Sequence, residues 1–248
     1  MISIFDEQEG LIEESFIGSY KTEVELFTSL LRVYESFIQA TSGKVKDNEY
    51  PNWSILMLLS QVLPLMNNAL VLLAKGYLRS SEIMIRVASE GMILAAYFKE
   101  FPDAEKEYRS LNYRDFFHNH KIEKMLKRVE NEGKLFIRDK IEAKNVRWNK
   151  IVFKNLFEES SKFLHNNPDL IYDMSLDNRS SNPSKGDLIL GPQLYSDESL
   201  AMGLRRLFNA LLFSLVILGV SLNIAPDEAE KTILTKSSEY ANSLNKSP

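Results

Sequence analysis

The chain has 248 residues, 44% apolar and 26% charged, with a net charge of −4. That is ordinary for a soluble globular protein and long enough for a substantial buried core. It contains no cysteine, which excludes disulfides, thiolate nucleophiles and cysteine-held zinc or iron–sulfur centres and suits a reducing cytoplasm.

In chain order, residues 11–39 place Leu26, Leu30, Val33 and Phe37 at helical intervals, and Thr41-Ser42-Gly43 ends the pattern. Residues 53–75 are apolar nearly all round, as in a central helix, and Pro64 should kink or break them. Gly76 marks a tight junction before a third helix over 77–99. Phe101-Pro102-Asp103 opens a charged fourth helix that runs from 103 to about 131, with Gly133 beyond its end. A fifth helix covers 135–165 and stops at Asn166-Asn167-Pro168. Residues 168–196 are polar and read as an ordered loop, with a small hairpin around 182–186. A sixth helix starts near Ser196-Asp197, with Ser196 and Ser199 as caps, and ends near Leu222. Pro226 opens a last amphipathic helix whose main apolar residues are Ile233 and Leu234. With no internal repeat, the pattern predicts a single all-α domain over 1–248, a bundle of six or seven helices. Its core would lie at about 50–222, with helices 11–40 and 226–246 packed on it.

The N-terminus is acidic and lacks a signal-peptide pattern. Residues 53–73 contain Gln61, Pro64, Asn67 and Asn68, and residues 207–222 fall short of the ~20 residues a bilayer needs. Both read as core helices rather than membrane spans. Together they carry more apolar surface than one thin bundle must bury, which points to a homodimer.

Chemistry is concentrated in three polar sets. Arg79, Glu82, Arg86 and Glu90 line one face of the third helix, and the same face continues with Ile93 and Tyr97. A polar patch bounded by apolar groups reads either as a structural ion pair or as a pocket wall. Glu158, Ser161 and His165 line the end of the fifth helix, where His165 is either a helix-end residue favoured by the dipole or a proton-transfer group. Arg114, His118, Lys121, Lys124 and Arg128 fall at intervals of three and four on the fourth helix. That stripe reads either as a solvated face or as a track for a phosphate backbone, with Tyr113, Phe116 and Phe117 as stacking groups. Residues 109–150 hold 12 Lys+Arg against 6 Asp+Glu, leaving the rest of the chain at −10. One basic region on an acidic protein suits a polyanionic partner.

Three histidines without a His-x-x-x-His or Glu-x-x-His pattern argue against a dedicated transition-metal site, a metal bound by carboxylates is left open but nothing specifies it, and no cofactor is expected. Gly-x-Ser-x-Gly, Gly-Lys-Ser/Thr and Gly-x-Gly-x-x-Gly are all missing, which removes the serine-hydrolase, P-loop and dinucleotide readings.

The run Gly76-Tyr77-Leu78-Arg79-Ser80-Ser81-Glu82, then Arg86-Val87-Ala88-Ser89-Glu90, is followed by Phe101-Pro102-Asp103, Ser161-Lys162-Phe163-Leu164-His165-Asn166-Asn167-Pro168 and Gly191-Pro192. Over roughly 50–222 this layout resembles an uncharacterised helical family that is similar to the HEPN superfamily of helical-bundle nucleases and nucleotide-binding modules. The resemblance implies Arg86, Glu90 and His165 as the matching polar set. HEPN ribonucleases also carry an arginine, four to six residues, then a histidine, and Arg114 and His120 stand at that spacing here. In such an enzyme the histidine handles the ribose 2′-hydroxyl proton and the arginine steadies the phosphate, with no metal. The position of this pair on the fourth helix, rather than late in the bundle, departs from the family. The leading expectation is a cytoplasmic, prokaryotic HEPN-like protein that cleaves or binds RNA or another phosphate ligand. The alternative is a non-catalytic interaction module of a defence or toxin–antitoxin pair, in which Arg86, Glu90 and His165 only fix packing. A weaker third reading is a membrane-associated protein using 207–222.

Overall fold

The computed structural model describes residues 6–42, 45–46, 51–111, 113–132, 192 and 195–243. These are helical, with no strand among the described residues, so the all-α expectation holds there. The helices outnumber the six or seven expected, because several long runs are divided. The fifth predicted helix, the hairpin and the polar loop apart from residues 192, 195 and 196 lie outside the described residues.

Helices α1 (Asp6–Ser19) and α2 (Lys21–Ser42) replace the single predicted N-terminal helix. The chain bends at Tyr20, after the weak helix formers Gly18 and Ser19. Helical hydrogen bonds still flank the bend, from Tyr20 N–H to the Phe16 carbonyl and from Val24 N–H to the Tyr20 carbonyl, both 2.9 Å. Phe27, Leu30, Val33, Tyr34 and Phe37 of α2 are buried. The Tyr34 hydroxyl donates to the Leu59 carbonyl at 2.8 Å, which ties α2 to the next helix.

The run predicted at 53–75 is divided into α3 (Asn52–Ser60) and α4 (Val62–Ala74). The break falls at Gln61, three residues before Pro64 rather than at it. Proline has no N–H for the Ser60 carbonyl, and its ring crowds that carbonyl. Gln61 keeps helical angles (φ −73°, ψ −19°), so the two helices continue in nearly the same phase.

At the end of α4, Tyr77 N–H donates to the Leu72 carbonyl at 2.8 Å and Gly76 N–H to the Leu73 carbonyl at 3.1 Å. This pair of bonds is a Schellman cap, and it needs a left-handed residue, supplied by Gly76 at φ 81°. Glu9 of α1 seals the junction. Its carboxylate accepts from the Tyr77 hydroxyl at 2.7 Å and from Lys75 Nζ at 3.2 Å.

Helix α5 (Leu78–Glu100) runs through the interior, and every residue from Met92 to Phe98 is buried. It packs against α3, α4, α8 and the long C-terminal helix.

The predicted fourth helix is three helices: α6 (Pro102–Ser110), α7 (Tyr113–Asn119) and α8 (Ile122–Glu132). Leu111 is extended (φ −95°, ψ 157°) and ends α6. The reason for the second break lies in the core. Phe116 and Met125 are both buried, yet nine positions is about two and a half turns, so one straight helix would point them in opposite directions. Breaking at His120 and Lys121 lets both face inward.

Helix α9 (Asp197–Leu222) has the expected bounds. The Ser196 hydroxyl accepts from Ser199 N–H at 3.2 Å, so Ser196 is the cap. Helix α10 (Glu228–Ser243) opens with a capping box. Asp227 accepts from Glu230 N–H at 2.8 Å, and Glu230 accepts from Asp227 N–H at 2.9 Å. Its buried residues are Ser237 and Ala241, while Ile233 and Leu234 are only partly covered. Helix α9 lies against α2, α4, α5 and α10. Gly203 permits the close crossing, because a Cβ there would stand 3.0 Å from a Leu73 methyl.

Candidate functional site

On α5 the polar face is largely internal. Glu82 is fully buried, and Arg86 is 6% exposed. Arg86 Nη1 lies 2.8 Å from Glu90 Oε1, the one-turn pair that the spacing suggests. Glu82 meets a group that spacing could not indicate: Arg206 Nη1 of α9, 2.6 Å from Glu82 Oε1. The available signal was Arg205-Arg206, a basic pair in a helix whose other charges, Asp197 and Glu198, lie in its first turn. Burial, and then the neighbouring Arg206, lower the Arg205 pKa from the usual guanidinium value. Tyr97, further along α5, meets His120 and Arg128 instead. His165, Glu158 and Ser161 lie outside the described residues, so Arg86 and Glu90 are placed without them.

The second constellation gathers around His120. Phe116 stacks on its ring, with centroids 4.5 Å apart and planes 18° apart. His120 Nε2 is 2.9 Å from Glu107 Oε2 of α6, and Nδ1 is 3.3 Å from the Tyr97 hydroxyl of α5. Arg128 Nη1 of α8 donates to that same hydroxyl at 3.0 Å. The Arg128 guanidinium carbon also lies 4.0 Å from the centre of the Phe101 ring.

The geometry selects one arrangement of hydrogens for neutral His120. A carboxylate only accepts, so Nε2 carries the hydrogen toward Glu107 and Nδ1 is left as an acceptor. The Tyr97 hydroxyl then donates to Nδ1 while it accepts from Arg128. The result is a one-way chain, Arg128 to Tyr97 to His120 to Glu107, drawn from four segments. It runs from the surface into the core: 39% of the Glu107 side chain and 18% of the His120 side chain are exposed, whereas Tyr97 is buried.

Arg114, His118, Lys121 and Lys124 are exposed around this chain. They do not lie on one helix face, since α7 carries the first two, Lys121 falls between helices, and α8 carries Lys124 and Arg128. Phe116 is buried in the core, and Phe117 packs partly against it, so neither forms an open stacking platform. The structure ties His120 to Arg128 through Tyr97. No cluster of three or more metal-ligating side chains occurs among the described residues. A small cleft of about 80 Å³, lined by Phe16, Tyr20, Gly76, Tyr195 and Asp197 among others, contains none of the candidate catalytic or nucleic-acid-binding residues. The chain matches no protein-family model, no curated protein and no solved structure.

Proposed function

We propose that the protein is a cytoplasmic helical bundle of HEPN-like layout that binds RNA or a related phosphate ligand beside α7 and α8, and cleaves it without metal through His120. The observation that carries this reading is the Arg128–Tyr97–His120–Glu107 chain. Glu107 holds the tautomer in which Nδ1 accepts a proton and stabilises the imidazolium that follows. A ribose 2′-hydroxyl that takes the place of the Tyr97 hydroxyl at Nδ1 gives up its proton there. Its oxygen then bonds to phosphorus as the 5′ oxygen leaves and collects a proton from solvent. Arg128, already directed at the same point, stabilises the phosphoryl charge. Arg114, His118, Lys121 and Lys124 supply the surrounding positive field. Arg86, Glu90 and His165 stand as the second catalytic set of this proposal.

One observation favours the alternative, a non-catalytic interaction module: both ring nitrogens of His120 already have partners within the protein. Incubating a mixed RNA pool with purified protein in chelator separates the two. An enzyme working through His120 loses about 10²–10⁴-fold of its cleavage rate on His120→Ala, with helicity unchanged, and keeps activity on Tyr97→Phe, which frees Nδ1. Loss on His165→Ala alone moves the reaction to the Arg86–Glu90 set. Absence of both cleavage and RNA binding by the wild type selects the interaction module.

A further inference from the structure

The surface of α3 and α4 carries an exposed stripe with an unusual order. Met57, Gln61, Pro64, Asn68 and Val71 are all exposed and follow one another at intervals of four, three, four and three. Helical angles at Gln61 keep them in register across the break, so they occupy one face. Leu58, Leu65 and Leu72 flank that face, half-buried. No residue from Asn52 to Ala74 is charged, in a chain that is 26% charged. Met57 is 45% exposed and Val71 43%. Only 39% of this apolar stretch is buried, against 72% for that of α9. Among the described residues, α9 is therefore largely covered and the face of α3 and α4 is not.

Read from either end, the stripe runs apolar, carboxamide, proline, carboxamide, apolar. Antiparallel pairing about a two-fold axis near Pro64 sets Met57 against Val71 of a second copy, and Gln61 against its Asn68. Carboxamides are donors and acceptors at once, so each satisfies its counterpart, which two lysines or two glutamates could not do. A closed two-fold interface requires this self-complementarity. We infer that the exposed face of α3 and α4 is a homodimer interface in which the two copies pair antiparallel about Pro64. A lipid bilayer fits less well, because Gln61, Asn67 and Asn68 would each lose water without gaining a partner.

The test is sedimentation equilibrium of the full chain over a concentration series, with helicity checked for every variant. Wild type should dimerise. Gln61→Lys with Asn68→Lys opposes like charges across the axis and should give monomer. Gln61→Lys with Asn68→Glu opposes lysine to glutamate and should restore the dimer, whereas parallel pairing would oppose like residues. The chain has no cysteine, so oxidative crosslinking gives a clean second reading: a mixture of Gln61→Cys and Asn68→Cys proteins should crosslink more than either alone. A monomeric wild type at every concentration, or a double-lysine variant that still dimerises, overturns the inference. A monomer that co-sediments with phosphatidylcholine–phosphatidylglycerol vesicles overturns it in favour of lipid.

Discussion

Replacing Arg206 by methionine tests the internal electrostatics directly. Glu82 is fully buried, and the Arg206 guanidinium that meets it at 2.6 Å is itself only 12% exposed. Methionine keeps much of the side-chain volume and removes the charge. The Glu82 carboxylate then loses a buried counter-ion, which costs about 3–5 kcal/mol. For a chain of this length each kcal/mol shifts Tm by about 2–4 °C, so the fall should be roughly 6–20 °C. Removing both charges together should behave differently. Glu82→Met with Arg206→Met leaves no unpaired ion and should recover most of the loss, because hydrophobic replacements of buried ion pairs are often neutral. Urea denaturation of the wild type, both single variants and the double variant measures the coupling. A loss below about 1 kcal/mol for Arg206→Met, or a double variant as unstable as the sum of the singles, would refute the reasoning.

Burial, then the carboxylate of Asp197, pushes the Tyr20 hydroxyl up to about 12, and burial with the Glu9 hydrogen bond does the same for Tyr77. In the unfolded chain both ionise near 10. Stability from these groups is therefore complete below about pH 10 and is lost as pH rises from 10 toward 12, so denaturation midpoints should fall across that window. Tyr77→Phe should flatten the fall. Gly76→Ala places a Cβ on a residue at φ 81° and should cost about 1 kcal/mol, read as a lower urea midpoint at unchanged slope.

Much of the helix plan was legible because local chemistry writes it. Ser196 announces the start of α9, Gly76 the turn before α5, and Pro102 the start of α6. The missed breaks at Tyr20, Leu111 and His120 carry no proline or terminal glycine of their own. The break at His120 arises because Phe116 and Met125 must reach one core, a demand that no local window contains. The same limit governs the site. Periodicity places Glu82, Arg86 and Glu90 on a shared face and so suggests the Arg86–Glu90 pair. It cannot reveal that Glu82 is answered by Arg206, 124 positions away. Nor could the spacing of Arg114 and His120 show that Tyr97, an apparent core residue, joins His120 to Arg128.

The Schellman turn at Gly76 also bears on the order in which the fold assembles. It brings α4 and α5 together with almost no loop to close, so their pairing carries little entropic penalty and should form early on the folding pathway. Helix α9 arrives from more than a hundred residues later, and Glu82 stays hydrated until Arg206 docks. Breaking that late ion pair should therefore speed unfolding of Arg206→Met in stopped-flow experiments and leave its refolding rate nearly unchanged, whereas Gly76→Ala should slow refolding. By this route a single glycine would set the tempo of folding, and a half-buried arginine how long the folded state lasts.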